Sequence, residues 1–269
     1  MFHQIVNTNK EQMALNIEFE VFAPSRYRLI VDDANQDNTI LANKFRDLGI
    51  GKHNFYVRLP LVGNNINVII YDEYNQNSQN FKVNSIRKEH LLKRLDLIDI
   101  RNGNLKSWIL FAQEFCYNAG VLKVNNPNDK NDIYVSSDRQ FYIKYLNQIL
   151  GQDGTPIPTP ASILQTGLIE VCSQQFIDFT VPMRMAILCH EYAHIYMNNN
   201  PENEVEADLN GLMLYLALGY PRYEACSAWI DTFGYDDITA NDDNLERYRI
   251  MEEFIENFEK NRIIFNNRF

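Results

Sequence analysis

The sequence predicts an α+β protein: a β-sandwich over residues 1–85, a linker over 86–104, and a mainly helical domain over 105–269. Three observations carry this reading. Short apolar–polar alternations separated by turn signals crowd the first 85 residues, which is the period of half-buried strands. Beyond Leu105 the apolar residues recur at helical spacing instead. A chain of 269 residues is also long enough for two modest domains, each with its own core.

Taken in order, residues 1–12 are polar and show no pattern. Leu15, Ile17, Phe19 and Val21 then alternate with Asn16, Glu18 and Glu20, giving a strand with one apolar face. Ala23-Pro24-Ser25 interrupts it, Tyr27 to Val31 resumes, and Asp32 to Asn38 is a loop. Phe55, Val57, Leu59 and Leu61 alternate again, and Val62-Gly63-Asn64-Asn65 turns the chain. Ile66, Val68 and Ile70 form the next strand, Phe81 and Val83 another. Regular short strands of this kind read as a β-sandwich. It offers no catalytic feature, its isolated His53 included.

Arg87 to Leu95 mixes charges on an amphipathic segment and reads as a solvated helical linker. Trp108, Phe111, Ala112, Phe115 and Cys116 recur at helical spacing between Leu105 and Ala119, and Gly120 ends that helix. Asn125 to Asp132 is a loop and Ile133 to Ser136 a strand. Gly151 to Pro160 carries three prolines, which cannot donate to a sheet ladder, so it is an extended loop. Leu168 to Val171 is a short strand before a helix that starts near Thr180, with Pro182 in its first turn. A second helix, with Asn200 as N-cap and Pro201 at its first position, carries Leu209, Leu212, Met213, Leu216 and Leu218 and closes at Gly219. A third follows Pro221 and runs to Phe233. The last, with Leu245, Tyr248, Met251, Ile255 and Phe258, follows Asp242-Asp243.

Whole-chain properties exclude several function classes. A net charge of −10 argues against a nucleic-acid partner. No apolar run approaches the roughly 20 residues of a membrane span, so no membrane partner is expected. Met1-Phe2-His3-Gln4 does not open a signal peptide, which points to the cytoplasm, or to a virion if the gene is a phage's, and not to secretion. The four cysteines, Cys116, Cys172, Cys189 and Cys226, lack paired spacing and read as buried free thiols.

The chemistry concentrates in Cys189-His190-Glu191-Tyr192-Ala193-His194. Residues four apart share a helix face, so His190 and His194 can present two imidazoles to one point. Glu191 stands beside them as a general base for a metal-activated water. Only five His occur in the chain, which makes an accidental match improbable. A catalytic zinc usually takes three protein ligands and leaves one position open. The turn Asn198-Asn199-Asn200 folds the next helix back as a hairpin. Counted from that turn at 1.5 Å per residue, His194 and Glu204 stand ~7 and ~5 Å down, and His190 and Asp208 ~14 and ~11 Å down. The spacing selects Glu204 as third ligand over Glu202 and Glu206, with Glu206 on another face. Asp208 then orients an imidazole, that of His190.

His190-Glu191-x-x-His194 followed by Glu204-x-x-Ala207-Asp208 resembles the gluzincin metallopeptidases with an HExxH plus ExxAD signature. These include the minimal ImmA/IrrE-type endopeptidases and the CAAX-protease-like enzymes. The resemblance covers roughly residues 130–235. It implies a zincin-like fold, zinc as cofactor on His190, His194 and Glu204, Glu191 as general base, and a peptide or protein substrate. It also implies that an edge strand before the active helix pairs with extended substrate, a place that Leu168–Val171 can fill, though the segment reads equally as an ordinary structural strand. The interval between the motifs is shorter here, and the spans of the CAAX-type enzymes are missing. Such a peptidase needs a donor for the tetrahedral oxyanion. No His follows His194, which leaves Tyr215, Tyr220, Arg222 and Tyr223. Cys189 to Pro221 is also similar to peptidase-domain virion proteins of Bacteroidetes phages. That likeness implies a second function: a structural part of a tailed-phage neck, ring or tail, its sandwich docking assembly partners and its zincin-like domain a docking module.

Overall fold

The computed structural model describes residues 1–37, 39–60, 62–75, 79–91, 103–117, 133–136, 138–151, 153–233 and 242–258. Leu61, Gly120, the loop Asn125–Asp132 and the linker beyond Leu91 lie outside the described residues. The fold is mixed α+β. Two compact units are distinguished, each over its described residues: Met1–Leu92 with Phe115–Val121, and Lys93–Glu114 with Leu122–Phe269.

The first unit holds seven strands among the described residues: β1 (Phe2–Asn7), β2 (Met13–Val21), β3 (Ser25–Asp33), β4 (Ile40–Leu48), β5 (Gly51–Leu59), β6 (Asn65–Asp72) and β7 (Phe81–His90). They form antiparallel sheets in the orders β1-β6-β3-β4 and β5-β2-β7. The predicted alternation is the packing pattern. Leu15, Ile17 and Val21 of β2, Phe55 and Val57 of β5, and Ile66, Val68 and Ile70 of β6 are fully buried, while Glu18, Asn54, Tyr56 and Asn67 between them are partly or fully exposed. Aromatic rings tie the two sheets. Phe19 of β2 lies 6.2 Å from the Tyr27 ring of β3, and Tyr27 meets Phe81 of β7 edge-on at 5.5 Å.

Two expectations are corrected here. Arg87 to His90 are not helical: they continue β7, in register with Met13 to Asn16 of β2. The strand is a sheet edge, where charge blocks pairing with other chains, and that accounts for a polarity read as linker. Residues 1–12 are not featureless either, because β1 pairs with β6 along its whole length. It too is an edge, with only Val6 buried.

The second unit contains α1 (Gly103–Tyr117), which extends beyond it at its C-terminal end, and the strands β8 (Ile133–Val135), β9 (Tyr142–Leu146), β10 (Ala161–Ile163) and β11 (Leu168–Cys172) in the order β10-β11-β9-β8. Next come the short α2 (Ser173–Phe176), then α3 (Val181–Tyr196), α4 (Glu204–Ala217), α5 (Arg222–Phe233) and α6 (Asp242–Phe258). β11 lies between β10 and β9, so the edge strand is β10, not Leu168–Val171. Trp108 and Phe111 of α1 pack on Phe141, and Trp108 stacks on Tyr192 of α3 at 4.6 Å. This buried aromatic cluster fixes the far face of the helix that carries the motif.

The cysteines are free; Cys116, Cys172 and Cys189 are buried and Cys226 half-buried. Among the described residues no helix is long and apolar enough to cross a membrane.

Candidate metal centre

The site is built on the α3–α4 hairpin. α3 starts where Thr180 caps it, its hydroxyl accepting from the Met183 amide, and Pro182 sits in the first turn, where no N–H is needed. α4 begins later than predicted. Its N-cap is Asn203, whose side chain accepts from the Glu206 amide, not Asn200. Asn200 and Pro201 belong to the turn, in which Asn200 Oδ1 accepts from the Glu202 amide and the Asn200 carbonyl from that of Asn203. Glu206 reaches back to accept from the Asn199 and Asn200 amides at 3.1 and 3.2 Å. It therefore stands off the ligand face as a brace of the turn, and Glu202 lies outside the helix.

One glycine lets the helices close. Gly211 shares a helix face with Glu204 and Asp208, and a Cβ there would lie 2.8 Å from the His190 Cα. The backbone of α4 thus rests against the backbone of α3 at the first motif histidine. At the other end of α4, Gly219 takes φ +87°, the left-handed conformation that ends a helix at little cost.

Both imidazoles have Nδ1 occupied by acceptors. His194 Nδ1 donates to the Pro201 carbonyl at 2.7 Å. His190 Nδ1 lies 2.9 Å from Asp208 Oδ1, a close ion pair short of an aligned hydrogen bond. With the protons on Nδ1, both Nε2 lone pairs converge, and the two Nε2 atoms are 3.0 Å apart. Glu204 completes the group: its oxygens lie 3.4 Å from His190 Nε2 and 3.7 Å from His194 Nε2. Two zinc ligands at ordinary bond length and tetrahedral angle stand about 3.4 Å apart. These separations fit one tetrahedral ion, and two facing lone pairs at 3.0 Å require a proton or a cation between them. Both histidines are buried while Glu204 is half-exposed, so the group opens to the surface on the Glu204 side.

Electrostatics follow from this crowding. Burial works to lower the His190 pKa, but Asp208 and Glu204 outweigh it and push it up to about 9. A protonated His190, with Nε2 3.4 Å from Glu204, holds that carboxyl down to about 2, against its desolvation. Burial raises the Glu191 carboxyl above the ordinary glutamate range, opposed by both histidines. The Ile163 backbone of β10 also works to lower it. A cavity of about 50 Å³ adjoins the site, lined by His190, Glu191, Leu212, Tyr215, Trp229 and Met251 among others.

The candidate oxyanion donors scatter. Tyr215 lines the cavity, but its hydroxyl donates to the Pro221 carbonyl at 2.7 Å. Tyr220 is buried and stacked on the Tyr215 ring. Arg222 and Tyr223 are surface residues, the guanidinium lying over the phenol ring. Sequence reasoning missed Arg247 and Trp229. Arg247 contacts Asp208 through Nε at 2.7 Å and Nη2 at 2.9 Å, and Glu204 through Nη2 at 2.9 Å. Trp229 lies edge-on to the His190 ring at 5.0 Å. Arg247 did leave a signal: it extends the apolar stripe Met251, Ile255 and Phe258 one turn back, and an arginine on a core stripe needs a partner. Leu245, read as part of that stripe, is exposed.

Compared with protein-family models, curated proteins and solved structures, this chain matches none.

Proposed function

We propose that the second unit is a zinc-dependent endopeptidase of zincin-like fold, with His190, His194 and Glu204 as ligands and Glu191 as general base. The observation that carries this reading is the convergence of both Nε2 atoms and a Glu204 oxygen at tetrahedral ligand spacing. Two imidazoles and one carboxylate suit zinc better than the all-oxygen sites of calcium or magnesium. Zinc held there would lower the pKa of a bound water and polarise a peptide carbonyl.

The chain's own residues do the rest. Glu191 is the base that takes the water proton and passes it to the leaving amine. Its raised pKa brings it nearer the operating pH, where a proton acceptor works best. β10 supports a peptide as substrate. The Pro160 carbonyl and the Leu164 amide are turned toward β11, so Ala161 and Ile163 turn their amides and carbonyls to the outer edge. The Ile163 backbone is near enough to Glu191 to lower its pKa, so an extended peptide paired with β10 would run past the base. In the first unit we read the two ring-linked sheets as a sandwich that docks protein partners.

Glu191→Gln tests the function, since it keeps shape and hydrogen bonding but removes the base. Cleavage of a peptide library should fall by ~10²-fold or more while zinc stays bound. A wild-type protein that binds zinc, cleaves no library member and joins a large assembly no better than the Glu191→Gln variant would replace peptidase by docking module.

A further inference from the structure

The metal ligands stand on α3 and α4, yet they are gripped from α6. The Arg247 guanidinium holds both oxygens of Asp208, at 2.7 and 2.9 Å, and with the same Nη2 holds Glu204 Oε2 at 2.9 Å. It thereby joins a ligand to the carboxylate that backs a second ligand, His190. It is itself seated 5.0 Å over the Trp229 ring of α5, the ring that meets His190 edge-on. We infer that Arg247 is a positioning residue of the metal centre, and that metal loading and docking of α6 are coupled through it. This rests on the metal site proposed above.

The physical reasons are geometric and electrostatic. Glu204 is half-exposed on the first turn of α4, so without a partner its carboxylate would sample several rotamers and lose entropy on binding a cation. A guanidinium fork holds two carboxylates in one plane, which an ammonium cannot do. A carboxylate has acceptor sites enough for a guanidinium and a cation together. With a cation bound the ligand imidazoles are neutral, and the cation and the Arg247 guanidinium together offset the carboxylates Glu204 and Asp208. Removing Arg247 leaves Asp208, whose side chain is almost wholly buried, facing His190 without its counter-ion. Coupling is reciprocal: if docked α6 strengthens zinc binding, bound zinc must stabilise docked α6 by the same factor.

The test uses the full chain with zinc alone as probe, and reads zinc affinity by chelator competition and hydrogen exchange of α6 amides. Arg247→Ala should weaken zinc binding by ~10–100-fold, and Arg247→Lys should fall between it and wild type. Arg249→Ala, which removes the same charge two residues away on the exposed face, should leave affinity unchanged. Zinc should slow exchange along α6 in wild type but not in Arg247→Ala. Wild-type affinity in Arg247→Ala, or α6 exchange in wild type that ignores zinc, overturns the coupling and leaves the metal site standing. If Arg247→Ala does not fold, Arg247→Lys decides: affinity equal to wild type overturns the role of the fork. A wild-type protein that takes up no zinc overturns the metal site itself, before any variant is compared.

Discussion

Gly211→Ala separates backbone geometry from helix propensity. On propensity alone, alanine in the middle of α4 should stabilise the helix by about 1 kcal/mol. Its Cβ, however, would lie 2.8 Å from both Cα and N of His190 and 2.9 Å from the Cys189 carbonyl carbon. Non-bonded carbons prefer about 3.5 Å or more, so α3 and α4 would have to part by about 0.7 Å. The neighbours are backbone atoms, so no side chain can swing aside to make room. Overpacking of this kind costs about 1–3 kcal/mol, which leaves a net loss on the order of 1 kcal/mol after the propensity gain. The ligands suffer as well. A shift of about 0.7 Å at His190 exceeds the roughly 0.2 Å by which metal–donor distances can vary, so zinc affinity should drop ~10-fold or more. Both tryptophans, Trp108 and Trp229, belong to the second unit, so denaturant unfolding followed by their fluorescence reads that unit selectively. Chelator competition gives the zinc affinity. A variant at least as stable as wild type, with unchanged zinc affinity, would refute the close approach as the device that places His190.

Further outcomes are expected at the neighbouring acids and on changing pH. Asp208→Ala should weaken zinc ~10–100-fold in competition titrations, because the His190 ring loses the group that orients it. Glu206→Ala should cost about 0.5–2 kcal/mol of stability, since the Asn199 and Asn200 amides lose their acceptor, yet keep zinc. A Glu206→Ala protein stripped of metal would mean that the wrong acid of α4 has been assigned. For metal-free protein the sign of the pH dependence is fixed by two shifts. His190, raised from 6.5 to about 9, contributes stability that is full below pH 6.5 and is lost as pH rises through about 9. Glu204, lowered from 4.5 to about 2, contributes stability present above pH 4.5 and lost as pH falls through about 2. Unfolding in chelator should therefore become easier from pH 6.5 to 9 while zinc affinity rises, as the His190 proton leaves. Stability in chelator that climbs over that interval would contradict this.

Legibility in the sequence tracked burial on one face. β2 and β6 bury every second residue and are readable, as is the edge strand β5, which still buries Phe55, Val57 and Leu59, whereas the edges β1, β4, β7 and β10 bury two residues or fewer. Those four strands hide too few side chains for their sequences to carry a clear alternation, and the charges of β7 imitate a linker. The metal group was readable because helical spacing and a short turn fix relative heights without knowledge of the core. Glu204 and Asp208 came from that count. The start of α4 was misplaced because Asn200 and Asn203 can both cap, and the choice was made by Glu206 bonding the turn. The Pro201 carbonyl that orients His194 could not be read, because backbone groups leave no mark in a residue pattern. Arg247 lies 39 residues from Asp208, beyond any local rule.

His190, His194 and Glu204 are proposed to hold one zinc ion. The most direct measurement is elemental analysis of purified, dialysed full-length protein after zinc supplementation, run beside His194→Ala. Wild type should carry about one zinc per chain and the variant should lose it, because only two ligands remain. Metal-free wild-type protein, or equal zinc in His194→Ala, would contradict it.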